Sequence, residues 1–404
     1  MKKALQLALG ILTAIGGFFD IGNLVTAAQA GASFRFQLLW SLAFGTIIVI
    51  FLVEMSGRFA AVTQKTIPEA VREHFGLRVT ILPVAVLLLL HVLTLTAEIG
   101  GVSLALQLVS GISFRIWALP VGILIWLFLW RSSFDAIEYS TASLGMVTLC
   151  FVVAAWMLHP NRGEVLAGLL PSLPKSEPAK YWLYAVSIVG ALIAPYMFYF
   201  YSSGAVEDKW NDSYLWVNRF VAVTGMAFGA MITGGLLVVA GMVLQPKGIG
   251  ADSVNQIAFV LTHTFPFWGF ALFAASMGIA CLGAALEVAL SLAYTTSQFF
   301  GWAWGQDLSP ARHARFSLAY TAPILLGSII IALGVDPVKL TIYTMALNAA
   351  ALPVVSGPFL LLMNDRRRLR KHANGPISNA ATVFIVAVSF ALFIVSIPLV
   401  FLGQ

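Results

Sequence analysis

Charge is what this sequence has least of. Of 404 residues only 10% are Asp, Glu, Lys or Arg, 60% are hydrophobic, and the mean hydropathy is +0.91; an average soluble domain carries about 25% charged residues. So few charges cannot clothe a water-exposed surface, which excludes a soluble globular protein. Cysteine is nearly as scarce. Cys150 and Cys281 both fall inside apolar runs, which argues against a disulfide framework or a metal-thiolate site and marks both as small core residues. Low-complexity tails and polar domains are missing too. The first apolar segment is too long for a signal peptide and has no small-residue cleavage site behind it, so it is expected to stay in the mature chain.

What the sequence does have is repeated stretches of about 20 apolar residues, the length at which a helix crosses a bilayer. Eleven such runs are expected at 5–30, 36–56, 79–110, 115–130, 140–158, 181–203, 217–244, 266–301, 316–334, 337–363 and 380–402. Polar linkers separate them: "AVREHFGLR" (70–78), "LLPSLPKSEPAK" (169–180), "VEDKWNDSY" (206–214) and "NDRRRLRKHANG" (364–375). The fold class is therefore all-α, a polytopic membrane protein forming a single transmembrane domain over 1–404. With the N-terminus cytoplasmic, most of the 23 Lys and Arg residues lie on the inside, as the positive-inside rule requires. That accounts for the net charge of +6 and for the cluster Arg366, Arg367, Arg368, Arg370 and Lys371. No nucleic-acid fold accompanies that cluster, so nucleic acid is not an expected partner. Lipid is. With no organelle-targeting segment, the expected location is a bacterial inner (plasma) membrane.

The informative residues are the acids at membrane depth, because an ionised side chain there costs at least ~2.5 kcal/mol and needs a cavity, a partner or an ion. Glu54 lies one turn from Arg58 at the expected end of span two and reads as an interfacial i,i+4 pair. Glu98 is the only formal charge between Arg78 and Arg115. Glu287 sits in span eight with no basic residue nearby in sequence. His91, two turns from Glu98, reads as a packing hydrogen bond.

Asp20 stands out through its surroundings, "GGFFDIGNLV" (16–25). Gly16, Gly17 and Gly22 bracket it, and glycine permits a helix to unwind. An interrupted helix at mid-membrane bares carbonyls that only a cavity, water or an ion satisfies. Asp20 and Asn23, three residues apart, then offer a carboxylate and an amide oxygen on one side, the outline of a hard-cation site. Span six repeats the theme in "SIVGALIAPYMFYFYSSG" (187–204). Pro195 has no N–H, so the carbonyl of Ala191 loses its helical partner. Broken helices at matching positions in two halves are the mark of inverted-repeat transporters. Spans one to five (1–160) and six to ten (181–363) form the two halves, with span eleven (380–402) as an appendage.

"DIGN" at 20–23 resembles the "DPGN" signature of the natural resistance-associated macrophage protein (Nramp) metal-ion transporters, and the resemblance continues through 38–76, 95–112, 150–174, "GALIAPYMFYFYSS" (190–203) and "ALPVVSGPFLLLMNDRRRL" (351–369). The resemblance implies a LeuT-like fold of two inverted five-helix repeats with a divalent-cation site between spans one and six. Its ligands would be Asp20, Asn23, and the carbonyls of Gly17 and Ala191. The departures are as telling. Where the family has methionine before the span-six proline this chain has Ala194; the signature proline is Ile21; the histidine after the span-six proline is Tyr196; the aspartate before the span-three glutamate is Leu95, while Glu98 is kept. A span-ten glutamine aligns with Ala351, with Asn348 one turn earlier able to offer an amide.

A thioether suits softer transition metals, whereas carboxylate, carbonyl and water suit magnesium, calcium and manganese. Alanine at 194 also leaves room for the waters that Mg²⁺ keeps. The sequence thus resembles the Nramp-related magnesium transporters, in which that methionine is likewise alanine. The expected function is transport of divalent metal ions as substrate, Mg²⁺ favoured and Mn²⁺ close behind, by alternating access and with no bound cofactor. Loss of the histidine and the span-three aspartate puts proton coupling in doubt, with Glu98 and Glu287 as the remaining proton-path candidates. A proton-coupled Mn²⁺/Fe²⁺ importer is the first alternative. A LeuT-fold amino-acid or organic-cation transporter, with Asp20 pairing a substrate amine, is the more distant one. An intramembrane aspartyl protease would need two facing acids, and neither Glu98 nor Glu287 sits in a protease-like motif.

Overall fold

The computed structural model describes residues 19–133, 136–137, 145–174, 177–306 and 308–402. Gly16, Gly17, the first half of span one and residues 140–144 of the expected fifth span lie outside the described residues. In chain order the α-helices are α1 (Ile21–Phe34), α2 (Leu39–Thr63), α3 (Ile67–Phe75), α4 (Leu77–Ser110), α5 (Phe114–Arg131), α6 (Cys150–Met157), α7 (Arg162–Gly168) and α8 (Pro178–Leu192). There follow α9 (Pro195–Glu207), α10 (Leu215–Val243), α11 (Val254–Thr262), α12 (Gly269–Phe300), α13 (Ala314–Ala332), α14 (Pro337–Leu362), α15 (Arg366–Leu369) and α16 (Pro376–Leu402). Among the described residues there is no strand, and eight helical segments are long and apolar enough to cross a bilayer, the α8–α9 pair counting as one. The protein is an integral membrane protein. The remaining expected spans correspond to α1, to the apolar stretch Met146–Met157, and to α16.

Helix α1 sits at the centre, packed against α8, α10 and α14. Around it α4 pairs with α12 and α14, α9 with α2 and α12, and α13 with α5. Close approach is set by small residues, as is usual where lipid leaves packing to drive helix association. A Cβ on Gly190 of α8 would stand 1.9 Å from the backbone oxygen of Met345 on α14. Only glycine lets these two helices meet there.

Two expected boundaries move for identifiable reasons. Span two does not end near Glu54; α2 runs on to Thr63. The Glu54–Arg58 pair is indeed i,i+4, with Arg58 Nε donating to Glu54 Oε1 at 3.1 Å, but the arginine side chain is only 6% exposed. Arg58 also donates to the His372 carbonyl and to Asn374 Oδ1, at 2.6 and 3.0 Å. Charges that look like a membrane boundary are therefore consumed inside the protein, tying α2 to the α14–α16 connection. The expected linker at 70–78 is largely helical as well: α3 opens with Pro68, and Glu69 accepts the Thr66 N–H at 3.1 Å, a capping-box arrangement.

The Gly190 contact gives a direct check. Gly190→Val forces α8 off α14; overpacking of this kind costs about 1–3 kcal/mol, so the detergent-solubilised variant should melt several degrees below the parent. An unchanged melting temperature would refute the account of this packing.

Candidate metal-ion site

Helix α1 starts in the middle of the protein. Asp20 is extended (φ −116°, ψ −178°) and caps it, 1% exposed. Its Oδ1 accepts both the Asn23 backbone N–H at 2.7 Å and the Asn23 side-chain amide at 3.0 Å. This is the N-cap role that aspartate fills well, and here asparagine at the third helical position supplies both donors. The other oxygen, Oδ2, receives the Tyr196 hydroxyl at 3.5 Å, which is a weak contact. One lobe of the carboxylate is thus spent on the helix start and the other turns toward α9.

A second carboxylate serves the same helix end. Glu98 of α4, fully buried, accepts the Ile21 N–H through Oε2 at 3.3 Å, and the Cys281 thiol of α12 packs beside it. Two acids gathered at a helix N-terminus are favoured by its positive end. Among the described residues, however, none of the ion pairs involves Asp20 or Glu98.

Span six is interrupted opposite. Helix α8 ends at Leu192, Ile193 and Ala194 leave the helical conformation (φ −107°, ψ 25° and φ −50°, ψ 122°), and α9 starts at Pro195. The residue before proline avoids the helical region, and proline at a first helical position is favourable. Pro195 has no N–H to return to the Ala191 carbonyl. Ala191 and Ala194 are both fully buried. The end of α8 and the start of α9 thus meet at a break in span six, and Tyr196 at the start of α9 reaches the Asp20 carboxylate.

The structure joins most of the remaining candidates to this centre. Tyr196 touches Asp20, and its backbone oxygen accepts from Ser291 of α12 at 3.3 Å. Glu287, 7% exposed, sits one turn before Ser291 on α12. His91 bonds the Leu87 carbonyl at 2.7 Å and Ser291 Oγ at 2.9 Å, locking α4 to α12. Leu95 is fully buried, Ala351 is half-buried, and Asn348, 1% exposed, lies against Met345, its amide nitrogen 3.7 Å from the sulfur. The Gly17 carbonyl lies outside the described residues. Met345 is the residue that sequence reasoning missed. A Cβ on Gly22 would stand 2.6 Å from its sulfur and 3.1 Å from Asp20 Oδ1. Nothing in an apolar span marks one methionine among 11; its place three residues before Asn348 was the available signal.

Among the described residues no three His, Cys, Asp or Glu side chains converge as a metal cluster. The groups at the start of α1 are instead the carboxylates of Asp20 and Glu98 with the Asn23 amide, which are hard donors by chemistry.

The profile of the natural resistance-associated macrophage protein-like family matches residues 10–398. The chain belongs to this family. Nramp proteins are transporters, and this chain is a transporter rather than an enzyme. Its structure is similar to that of a mutant of the Eremococcus coleocola manganese transporter, with a TM-score of 0.81 at 19% identity over 96% of this chain and 85% of that one. The nucleobase-cation-symport-1 transporter Mhp1 superimposes with a TM-score of 0.67 at 14% identity, covering 98% and 91% of the two chains. The transporter MhsT, solved with L-phenylalanine, gives 0.67 at 14% identity over 97% and 98%. The architecture is the LeuT-like one, with span six broken at Ile193 and Ala194.

Asn23→Ala tests the joint between helix start and carboxylate. It removes an oxygen donor and frees Asp20 Oδ1 from one bond; second partners of this kind are worth about 10–100-fold in metal affinity. Titration calorimetry should show a loss in that range, and unaltered affinity would remove Asn23 from the site.

Proposed function

We propose that this protein moves divalent metal cations across the membrane by alternating access, with Mg²⁺ favoured and Mn²⁺ close behind. The observation that carries the reading is the pair of buried acids, Asp20 and Glu98, at one helix start, with no cationic side chain paired to either among the described residues. Carboxylates so placed in a membrane interior need a positive partner, and a transported cation is that partner. Asp20 supplies the charge, with the oxygens of Asn23 and the carbonyls of Ala191 and Gly17 completing a partly hydrated shell. Ala194 is the size and softness filter: it contributes no sulfur and leaves room for water, which Mg²⁺ gives up reluctantly. The carriage is by two five-span halves, 1–160 and 181–363, moving about the fixed site in a bacterial inner membrane with the N-terminus cytoplasmic.

A proton-coupled Mn²⁺/Fe²⁺ importer is the second reading, favoured by Glu98: its carboxylate touches the same helix start as the substrate ligand, where proton and metal could compete. The manganese transported by the Eremococcus coleocola relative points the same way.

Asp20→Ala should abolish Mg²⁺ and Mn²⁺ uptake into proteoliposomes while the variant still elutes as a folded species; retained uptake would remove the central ligand. Ala194→Met should move the competition profile from Mg²⁺ toward Mn²⁺, Fe²⁺ and Cd²⁺, and an unchanged profile would contradict the selectivity argument.

A further inference from the structure

Met345 occupies an unusual place for a thioether. It is fully buried on α14, its sulfur meets the backbone of Gly22 so closely that no Cβ would fit, and that same point lies 3.1 Å from Asp20 Oδ1. Gly22 falls between Asp20 and Asn23, so the sulfur stands over the segment that carries both. The sulfur's polar neighbour is the Asn348 amide nitrogen at 3.7 Å, a contact weak enough to yield to a metal. Asn348 Oδ1, in turn, is buried with no hydrogen-bond partner among the described residues. One turn of α14 therefore presents a soft donor and a hard one side by side, at the flank of the carboxylate.

We propose that Met345 gives the site a second coordination mode, in which thiophilic divalent cations such as Cd²⁺ are bound through its sulfur together with Asp20. The inference rests on the metal-site reading above. A hydrated hard ion is held by Asp20, Asn23 and backbone oxygens without needing the thioether. A softer ion sheds water more readily and gains from sulfur, so it settles toward α14, with the Asn348 oxygen completing its shell. The absence of sulfur at Ala194 then weakens discrimination against hard ions without closing the site to soft ones. Selectivity becomes a property of two helices, α9 by what it omits and α14 by what it adds.

Calorimetric titration of the purified full-length protein with Cd²⁺ and with Mg²⁺, on the parent and on Met345→Leu, tests this. Leucine matches methionine in bulk, so the packing over Gly22 is kept. The expected result is a loss of at least about tenfold in Cd²⁺ affinity with Mg²⁺ affinity unchanged. Unaltered Cd²⁺ binding, or an equal fall for both ions, would overturn the proposal and leave Met345 a packing residue. X-ray absorption at the cadmium edge of the one-to-one complex of the parent protein does not depend on any variant folding. A sulfur neighbour is expected there, and a shell of oxygen alone would overturn the proposal. Asp20→Ala separates the two levels of the argument: if it leaves Cd²⁺ and Mg²⁺ binding intact, the metal-site reading itself fails. If binding depends on Asp20 while Met345→Leu has no effect, only the second coordination mode is lost.

Discussion

Inside a bilayer every backbone N–H and C=O needs a partner, and a helix that stops at mid-depth leaves several without one. The architecture around Asp20 follows from how that demand is met. On the donor side, the N–H groups of Ile21 and Asn23 are taken by the carboxylates of Glu98 and Asp20. On the acceptor side, Pro195 has no N–H to return to the Ala191 carbonyl. Acids at the start of α1 and a proline after the end of α8 place negative charge and a freed carbonyl on the two helix ends that the proposed cation site uses.

Most of this was legible in the sequence because the rules of the bilayer are strict. Charge scarcity and run length gave the spans, and the proline in the sixth run gave its interruption, while the first half of span one lies outside the described residues. Proline alone would not have sufficed: Pro83, Pro120, Pro323, Pro353 and Pro358 all sit inside continuous helices. The pre-proline Ala194 takes up an extended conformation where those helices absorb the defect, and that distinction depends on what packs around the chain. Likewise Glu54 and Arg58 resembled a membrane boundary because the further partners of Arg58, the His372 carbonyl and Asn374, come from more than 300 residues away. Met345 was hidden for the same reason. Its relation to Gly22 is set by the packing of α14 on α1 and α8, and no local pattern encodes it.

Chemically the site is sparing. Among the described residues no three acidic, histidine or cysteine side chains cluster, and in the proposed site an ion held by one main carboxylate and neutral oxygens can also leave. That suits a carrier, whose substrate must be released on the far side. Contacts around the proposed site, from the Ser291 bonds to His91 and Tyr196 to the glycine contact between α8 and α14, hold these helices together.

The central claim is that the cation sits between the start of α1 and the end of α8. Anomalous diffraction from crystals of the full-length protein soaked in Mn²⁺ tests it most directly. The account predicts one strong peak within coordination distance of an Asp20 carboxylate oxygen, the Asn23 amide oxygen and the Ala191 carbonyl oxygen. A peak elsewhere in the molecule, with none at Asp20, would contradict it.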